Sequence, residues 1–343
     1  MPTTLPRRLI GYGAYNLCFD NQLGRAANDP NGPDFFHALR QRVPAANLVK
    51  VIVYRHSGIE GLSAFPARRV PLYTPQREIS EAFLSNLRNL IDTAAAMQPQ
   101  FFVQVCIFSY QSVASLTGDN GEPLFIPREQ PENIPFELVP PLPPPPTPPN
   151  SIDNARWFFN PSLNARSHKQ KEMIAQLGQK LSGCTNVIWE LVNELRISND
   201  TGHEDDNRNT ITWLGQMRDA LQANAGQDLN LTFSTGVNNE SQLMRGVPVT
   251  VFDFHGGQWS TNGHWQTGIP NAKGRALGYN ASAPLIINDD GIDMPRNRPN
   301  VTGWARLAFQ QGLHYSTKAT YPPAKDFSAQ QVAALNDANS SVP

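Results

Sequence analysis

Eight short apolar runs recur along the chain. They are RLIGYGAYNL (8–17), NLVKVIVY (47–54), FFVQVCIF (101–108), NVIWELVN (186–193), LNLTFSTG (229–236), VTVFDFH (249–255), PLIINDD (284–290) and the weakest, GLHYSTK (312–318). Most are continuous rather than alternating, the pattern of strands buried on both faces of a parallel sheet. Helical periodicity fills most of the gaps. FFHALRQRV follows the first run. In ISEAFLSNLRNLIDTAAAM the apolar positions 79, 83, 84, 87, 90 and 91 form one helix face. NARSHKQKEMIAQLGQKL, with Asn164 suited to cap it, precedes the fourth run, and NTITWLGQMRDALQAN precedes the fifth. SAQQVAALND, with Ser328 as its cap, closes the chain. The stretches between the fifth and seventh runs are short and less clearly helical. Eight strands alternating with helices predict an α/β fold, a (β/α)8 TIM barrel.

Proline interrupts this pattern once. Twelve of the 30 prolines fall between Pro123 and Pro149, ending in PPLPPPPTPPN. Such a stretch favours polyproline II and joins neither a helix nor a central strand. Read alone it is a linker between a three-strand unit and a five-strand one. The run-and-helix pattern continues across it, however. The expectation is therefore one barrel over 1–343, with residues 111–155 a Pro-rich insertion in the β3–α3 loop. That loop opens on the C-terminal face, where barrel enzymes build their sites, so the insertion would wall a cleft.

Charge narrows the function classes. Lys plus Arg is 28 against 29 Asp plus Glu, a formal net charge of −1. A nucleic-acid binder or a polybasic membrane-surface protein shows a basic excess, so neither partner is expected. No apolar run approaches the roughly 18 residues of a membrane helix. MPTTLPRRLIGYG lacks the apolar segment of a signal peptide. A secreted or extracellular protein, its signal peptide absent from this sequence, is the expectation, with a cytoplasmic one left open. Three cysteines, Cys18, Cys106 and Cys184, make no disulfide framework and no metal pair, and each reads as a small buried hydrophobe. GYGAYN lacks the spacing of a phosphate loop. HEDDN (203–207) lacks the spacing of a calcium loop, and a helix N-terminus accounts for it better. No cofactor and no metal is expected. The oligomeric state is not legible.

Two runs carry chemistry. NVIWELVNEL is an apolar strand ending in Asn193-Glu194, and PLIINDDG is one ending in Asp289 and Asp290. Acids ending strands 4 and 7 face one another across a barrel mouth. Two carboxylates across a sugar bond are the machinery of glycoside hydrolysis: one protonates the leaving oxygen, and the other attacks the anomeric carbon or activates water.

On these residues the sequence resembles the clan A retaining glycoside hydrolases, nearest to the cellulase-type family 5. The family ends strand 4 in Asn-Glu and strand 7 in a Glu set as P-x-x-x-x-E-x-G. Asn193-Glu194 and the stretch Pro284 to Gly291 match those settings, with Asp289 where the family has its nucleophilic Glu. The resemblance implies Glu194 as acid/base, Asn193 on the sugar 2-hydroxyl and Asp289 at the nucleophile position. His255 matches the strand-6 His and Lys50 stands where the family has Arg on strand 2, so both are candidate substrate contacts. Gly257 replaces a Tyr, and LHYSTKAT shows no sugar-platform Trp. Trp259, His264 and Trp265 in the strand-6 loop are candidates to stack on or bond a sugar, with Trp157 a weaker one, and Asp290 is a further polar contact. Trp189, Trp213 and Trp304 lie in apolar patterns and read as core.

Asp for Glu shortens the side chain by one methylene, roughly 1–1.5 Å. Retaining enzymes hold their carboxyls about 5–5.5 Å apart and inverting ones about 6.5–9.5 Å. The shorter acid leaves room for a water, so inversion with Asp289 as base is one expectation. A weakened or inactive carbohydrate-binding protein on a hydrolase-like barrel is the alternative. An unrelated barrel enzyme with acids at the same two strand ends is another. Residue by residue, a structural carboxylate at 194, an Asp-Asp-Gly turn at 289–291 and a satisfied rim histidine at 255 compete with the functional roles.

Overall fold

The computed structural model describes residues 4–25, 29, 31–54, 66–74, 78–110, 158–159, 161, 164–195, 204–226, 228–235, 246–255, 265–280, 283–289, 301–319 and 329–340. Every apolar run contains a strand. The strands are β1 (Ile10–Ala14), β2 (Leu48–Tyr54), β3 (Phe102–Ser109), β4 (Val187–Asn193), β5 in two segments (Asn230–Thr232 and Ser234–Thr235), β6 (Phe252–His255), β7 (Leu285–Asp289) and β8 (His314–Ala319). All pairings are parallel. Each strand pairs with its sequence neighbours and β8 pairs with β1. The first segment of β5 pairs with β4 and the second with β6, so the ring closes through one strand broken at Phe233. This is the (β/α)8 barrel.

Helices alternate with the strands: α1 (Phe35–Arg42), α2 (Glu81–Ala96), α3 (Asn164–Lys180), α4 (Glu204–Ala225), α5 (Trp265–Tyr279), α6 (Val301–Gln310) and α7 (Ala329–Ser340). The Asp34 carboxylate accepts from the His37 N–H at 3.0 Å and so starts α1, which buries Phe35, Phe36 and Leu39. Ser80 caps α2 in the same way through Phe83 N–H. Two expectations shift, those for Asn164 and for the stretch before β7. Asn164 is the first residue of α3 rather than its cap. Glu204 to Asn207 of the HEDDN segment open α4, the helix N-terminus expected there, and among the described residues no group of three His, Cys, Asp or Glu could hold a metal ion. Between β6 and β7 stands a helix of 15 residues, α5, which the sequence pattern left indistinct. Gly268, Pro270, Gly274 and Gly278 hide its period, because Gly and Pro are poor helix formers. The proline-rich stretch of 111–155 falls between β3 and α3 in the chain and lies outside the described residues. No helix among the described residues is long and apolar enough to cross a membrane.

Outward-facing residues of the strands and inward faces of the helices make one core, which takes in Trp189, Trp213 and Trp304 as expected. Cys18 and Cys106 are buried, whereas Cys184 is only partly so, and none is in a disulfide. Inside the barrel the residues form layers. Leu9, Leu48, Phe102, Ile188, Val251 and Ile286, at or beside the N-terminal ends of six strands, make an apolar floor. Tyr15, Ile52 and Cys106 form a second apolar group nearer the C-terminal ends. Between these levels the interior is polar.

Two positions make this interior testable. A Cβ on Gly11 would stand 2.7 Å from the Ser316 Cβ and 2.8 Å from a Leu48 methyl, so β1 packs this close to β2 and β8 only with glycine there. Gly11→Ala is expected to cost about 1–3 kcal/mol in a denaturant titration. His314 opens β8 with its Nδ1 accepting the Leu9 N–H at 2.9 Å. Burial lowers its pKa to about 4. Its neutral form is the folded one, so stability is full above the unfolded value near 6.5 and declines as pH falls from there to about 4. The loss is expected to reach about 3 kcal/mol. His314→Asn, which keeps an acceptor without a proton site, should flatten that part of the stability-against-pH curve.

Candidate active site

Lys50, on β2, lies fully inside the barrel. Its ammonium donates to Glu190 on β4, 3.0 Å from Oε1 and 2.8 Å from Oε2, and to Asn193 Oδ1 at 2.8 Å. Asp253 on β6 has an oxygen 3.9 Å away. The Gln104 amide on β3 donates to Glu190 Oε2 at 2.9 Å and also to Asp253. Asn288 on β7 donates to both Asp253 oxygens at 2.7 Å. Five strands thus meet in one hydrogen-bonded layer. Burial alone would lower the Lys50 pKa, but the charges of Glu190 and Asp253 outweigh it and hold the ammonium above its ordinary value. The Cys106 thiol is pushed up by burial and next by Glu190, so it stays protonated.

This arrangement corrects the expectation for Lys50. Its side chain is 1% exposed and does not reach the mouth. It acts one layer below, on Asn193. Lysine only donates, so the amide oxygen of Asn193 must face it, and the amide NH2 is turned away from Lys50. An asparagine that would otherwise choose between two flips is fixed in one.

Strand β4 changes phase before it reaches that point. Trp189 faces the helices and Glu190 the interior. Leu191 and Val192 then both join the outer core, as do Ile107 and Phe108 beside them on β3. Asn193 consequently comes inward at an odd position, where unbroken alternation would require an even one. The pairing with β5 shows where the extra residues go. Glu190 pairs with Thr232, yet the next bonds join Glu194 N–H to Ser234 Oγ at 2.8 Å and Leu195 N–H to Ser234 O at 2.9 Å. Four steps along β4 answer two along β5, a bulge. At its end Glu194 has φ +56°, the left-handed region that a side chain with a Cβ seldom adopts. Glu194 is 9% exposed.

The other predicted residues take their places by backbone. His255 ends β6 and is paired with Asn288. Asp289 ends β7 and is paired with Thr317. Asn193, Glu194, His255 and Asp289 therefore share the C-terminal rim of the barrel. Trp265 begins α5. Trp157, Trp259, His264 and Asp290 lie outside the described residues. Gln104, Glu190, Ser234, Asp253 and Asn288 were not singled out in the sequence. Three of them, Gln104, Glu190 and Asp253, had a signal, a lone polar residue in the middle of an apolar run, whereas Asn288 merges into the acidic end of its run. Ser234 had none.

Comparison with known proteins yields structural likeness only. No protein-family model matches the chain, and no curated protein matches it. A GH5 cellulase from a Bacteroidetes-affiliated source, linked with a polysaccharide utilization locus, superposes with a TM-score of 0.61 at 12% identity, covering 97% of this chain and 91% of that one. A GH5-4 broad-specificity endoglucanase from an uncultured bacterium gives 0.61 at 11%, covering 97% and 94%. A Bacteroides ovatus GH5 xyloglucanase in complex with a heptasaccharide gives 0.56 at 10%, covering 96% and 74%. The chain has the fold of these glycoside hydrolases along nearly its whole length.

The buried ion pair can be tested apart from any activity. Lys50→Met keeps the bulk and removes the charge, leaving Glu190 and Asp253 without their cation. Urea denaturation is expected to show a loss of about 3–5 kcal/mol.

Proposed function

We propose that this protein is a glycoside hydrolase acting on a β-linked polysaccharide or oligosaccharide, in a single barrel whose 111–155 insertion borders the mouth. The observation that carries the reading is the Asn193-Glu194 pair at the C-terminal end of β4. The amide of Asn193 is oriented from below by Lys50, and Glu194 has a left-handed backbone with its N–H donating to Ser234 Oγ. Strained backbone at a rim carboxylate is the kind of feature that persists where chemistry needs it. The fold-level likeness to cellulases and xyloglucanases supports a carbohydrate substrate by analogy.

In this reading Glu194 enters as the carboxylic acid. It gives its proton to the glycosidic oxygen as the bond from that oxygen to the anomeric carbon breaks. Asp289 meets the developing positive charge as a carboxylate. If it attacks the anomeric carbon directly, a covalent sugar ester forms, and a water deprotonated by Glu194 then hydrolyses it with net retention. If a water stands between them, Asp289 takes its proton and the product is inverted. The shorter Asp favours the second course. The Asn193 NH2 supplies a donor for the hydroxyl beside the reacting carbon. A weakened or inactive carbohydrate-binding protein is the second reading, favoured by the same Asp289 in a setting built for Glu.

Reducing-end release from β-glucans, mannans, galactans and xylans, with wild type, Glu194→Gln and Asp289→Glu side by side, separates the readings. Turnover by wild type that falls by at least about 100-fold in Glu194→Gln is the expected result. Proton NMR of the first anomer released is expected to show inversion, and clean retention would remove the water-activating role of Asp289. A silent wild type with an active Asp289→Glu would mean a scaffold disabled at its nucleophile. Silence in all three, with sugar binding retained in Glu194→Gln, would establish the binding protein.

A further inference from the structure

We propose that Ser234 is the positioning residue of Glu194: its hydroxyl oxygen and its carbonyl hold the left-handed turn that lets two consecutive residues of β4 address the barrel mouth. The inference rests on the hydrolase reading for its consequence in catalysis, though not for the turn itself.

Successive side chains of a regular strand point to opposite faces. With Asn193 turned inward to Lys50, an extended residue 194 would turn outward, towards the helices. A left-handed residue breaks that alternation. For a glutamate this conformation is uphill by on the order of tenfold or more in population, so something must hold it. Ser234 contacts this turn with two different atoms. Its Oγ accepts from Glu194 N–H at 2.8 Å, and its carbonyl accepts from Leu195 N–H at 2.9 Å. The serine is fully buried, and its strand segment is fixed on the far side by pairing of Ser234 with Asp253 and Thr235 with Phe254. Asp253 is itself bound into the Lys50 layer. One polar layer thus reaches the Asn193-Glu194 pair by two routes: through Lys50 to the amide, and through Asp253 and Ser234 to the backbone. Ser234 touches no reacting atom in this scheme.

The test uses Ser234→Ala and Ser234→Cys, which remove a good acceptor, and Ser234→Thr, which keeps one. On the substrate that wild type turns over, Ala and Cys are expected to lower kcat by about 10–100-fold with KM within about twofold. Thr is expected to recover activity to within a few fold. Unchanged kcat in Ser234→Ala, or a Thr variant no better than Ala, would overturn the proposal. A second arm needs no activity. Glycine tolerates the left-handed region and alanine does not, so Glu194→Gly should melt about 2–4 °C above Glu194→Ala. In the Ser234→Ala background that gap should close. A gap that persists there would show that Ser234 is not what holds the turn. If wild type turns over no glycoside, the hydrolase reading fails alone, and the melting arm still decides the turn.

Discussion

An ammonium group enclosed in the middle of a barrel is tolerable only if carboxylates and amides replace its water. Lys50 is given two carboxylates, Glu190 and Asp253, one strand level above an apolar floor. Each carboxylate would itself be costly there without the lysine and the amides of Gln104 and Asn288. These groups come from β2, β3, β4, β6 and β7. The layer is satisfied only when all five strands stand in one register, because a slip of one residue on β2, β3, β4 or β6 would put an apolar side chain in its place. Packing of Leu and Ile would stabilise many registers of a barrel about equally. The polar layer singles out one.

The same layer accounts for the precision of the site above it. Asn193 and Glu194 are neighbours in the chain, yet they are held by different strands. The β4 bulge carries Asn193 onto Lys50, and the Ser234 contacts receive the backbone that follows. In a regular strand two consecutive side chains point to opposite faces. Both departures from regularity, the bulge and the left-handed Glu194, fall within five residues of each other at the C-terminal end of β4. Strain gathered at the rim is compensated by the ion pair and hydrogen bonds just beneath.

Much of this was legible in the chain. The eight runs are the eight strands because a β-strand buried on both faces has no polar side to show, and continuous Val, Ile and Phe runs such as NLVKVIVY or FFVQVCIF cannot be half-exposed. Asn193-Glu194 and Asp289 stood out because acids follow apolar runs there. Helix α5 was obscure, since its glycines and Pro270 carry no period and packing decides it. Lys50 was visible as an oddity in its run, but its matching by position to a family arginine suggested a sugar contact. Only its burial showed that it serves Asn193 instead.

The amino-acid sequence by itself determined the barrel, its strand order and the two acid-bearing strand ends, because hydrophobic continuity and the alternation with helices are local properties. It also held the members of the polar layer, one in the middle of each of several runs. It did not say which of them meet, since partners such as Lys50 and Glu190 are 140 residues apart and are matched only by register across intervening strands. The phase of β4, the orientation of the Asn193 amide and the left-handed Glu194 were decided in three dimensions. Each depends on a neighbour from another strand, and the backbone there takes a conformation its own residues would not choose.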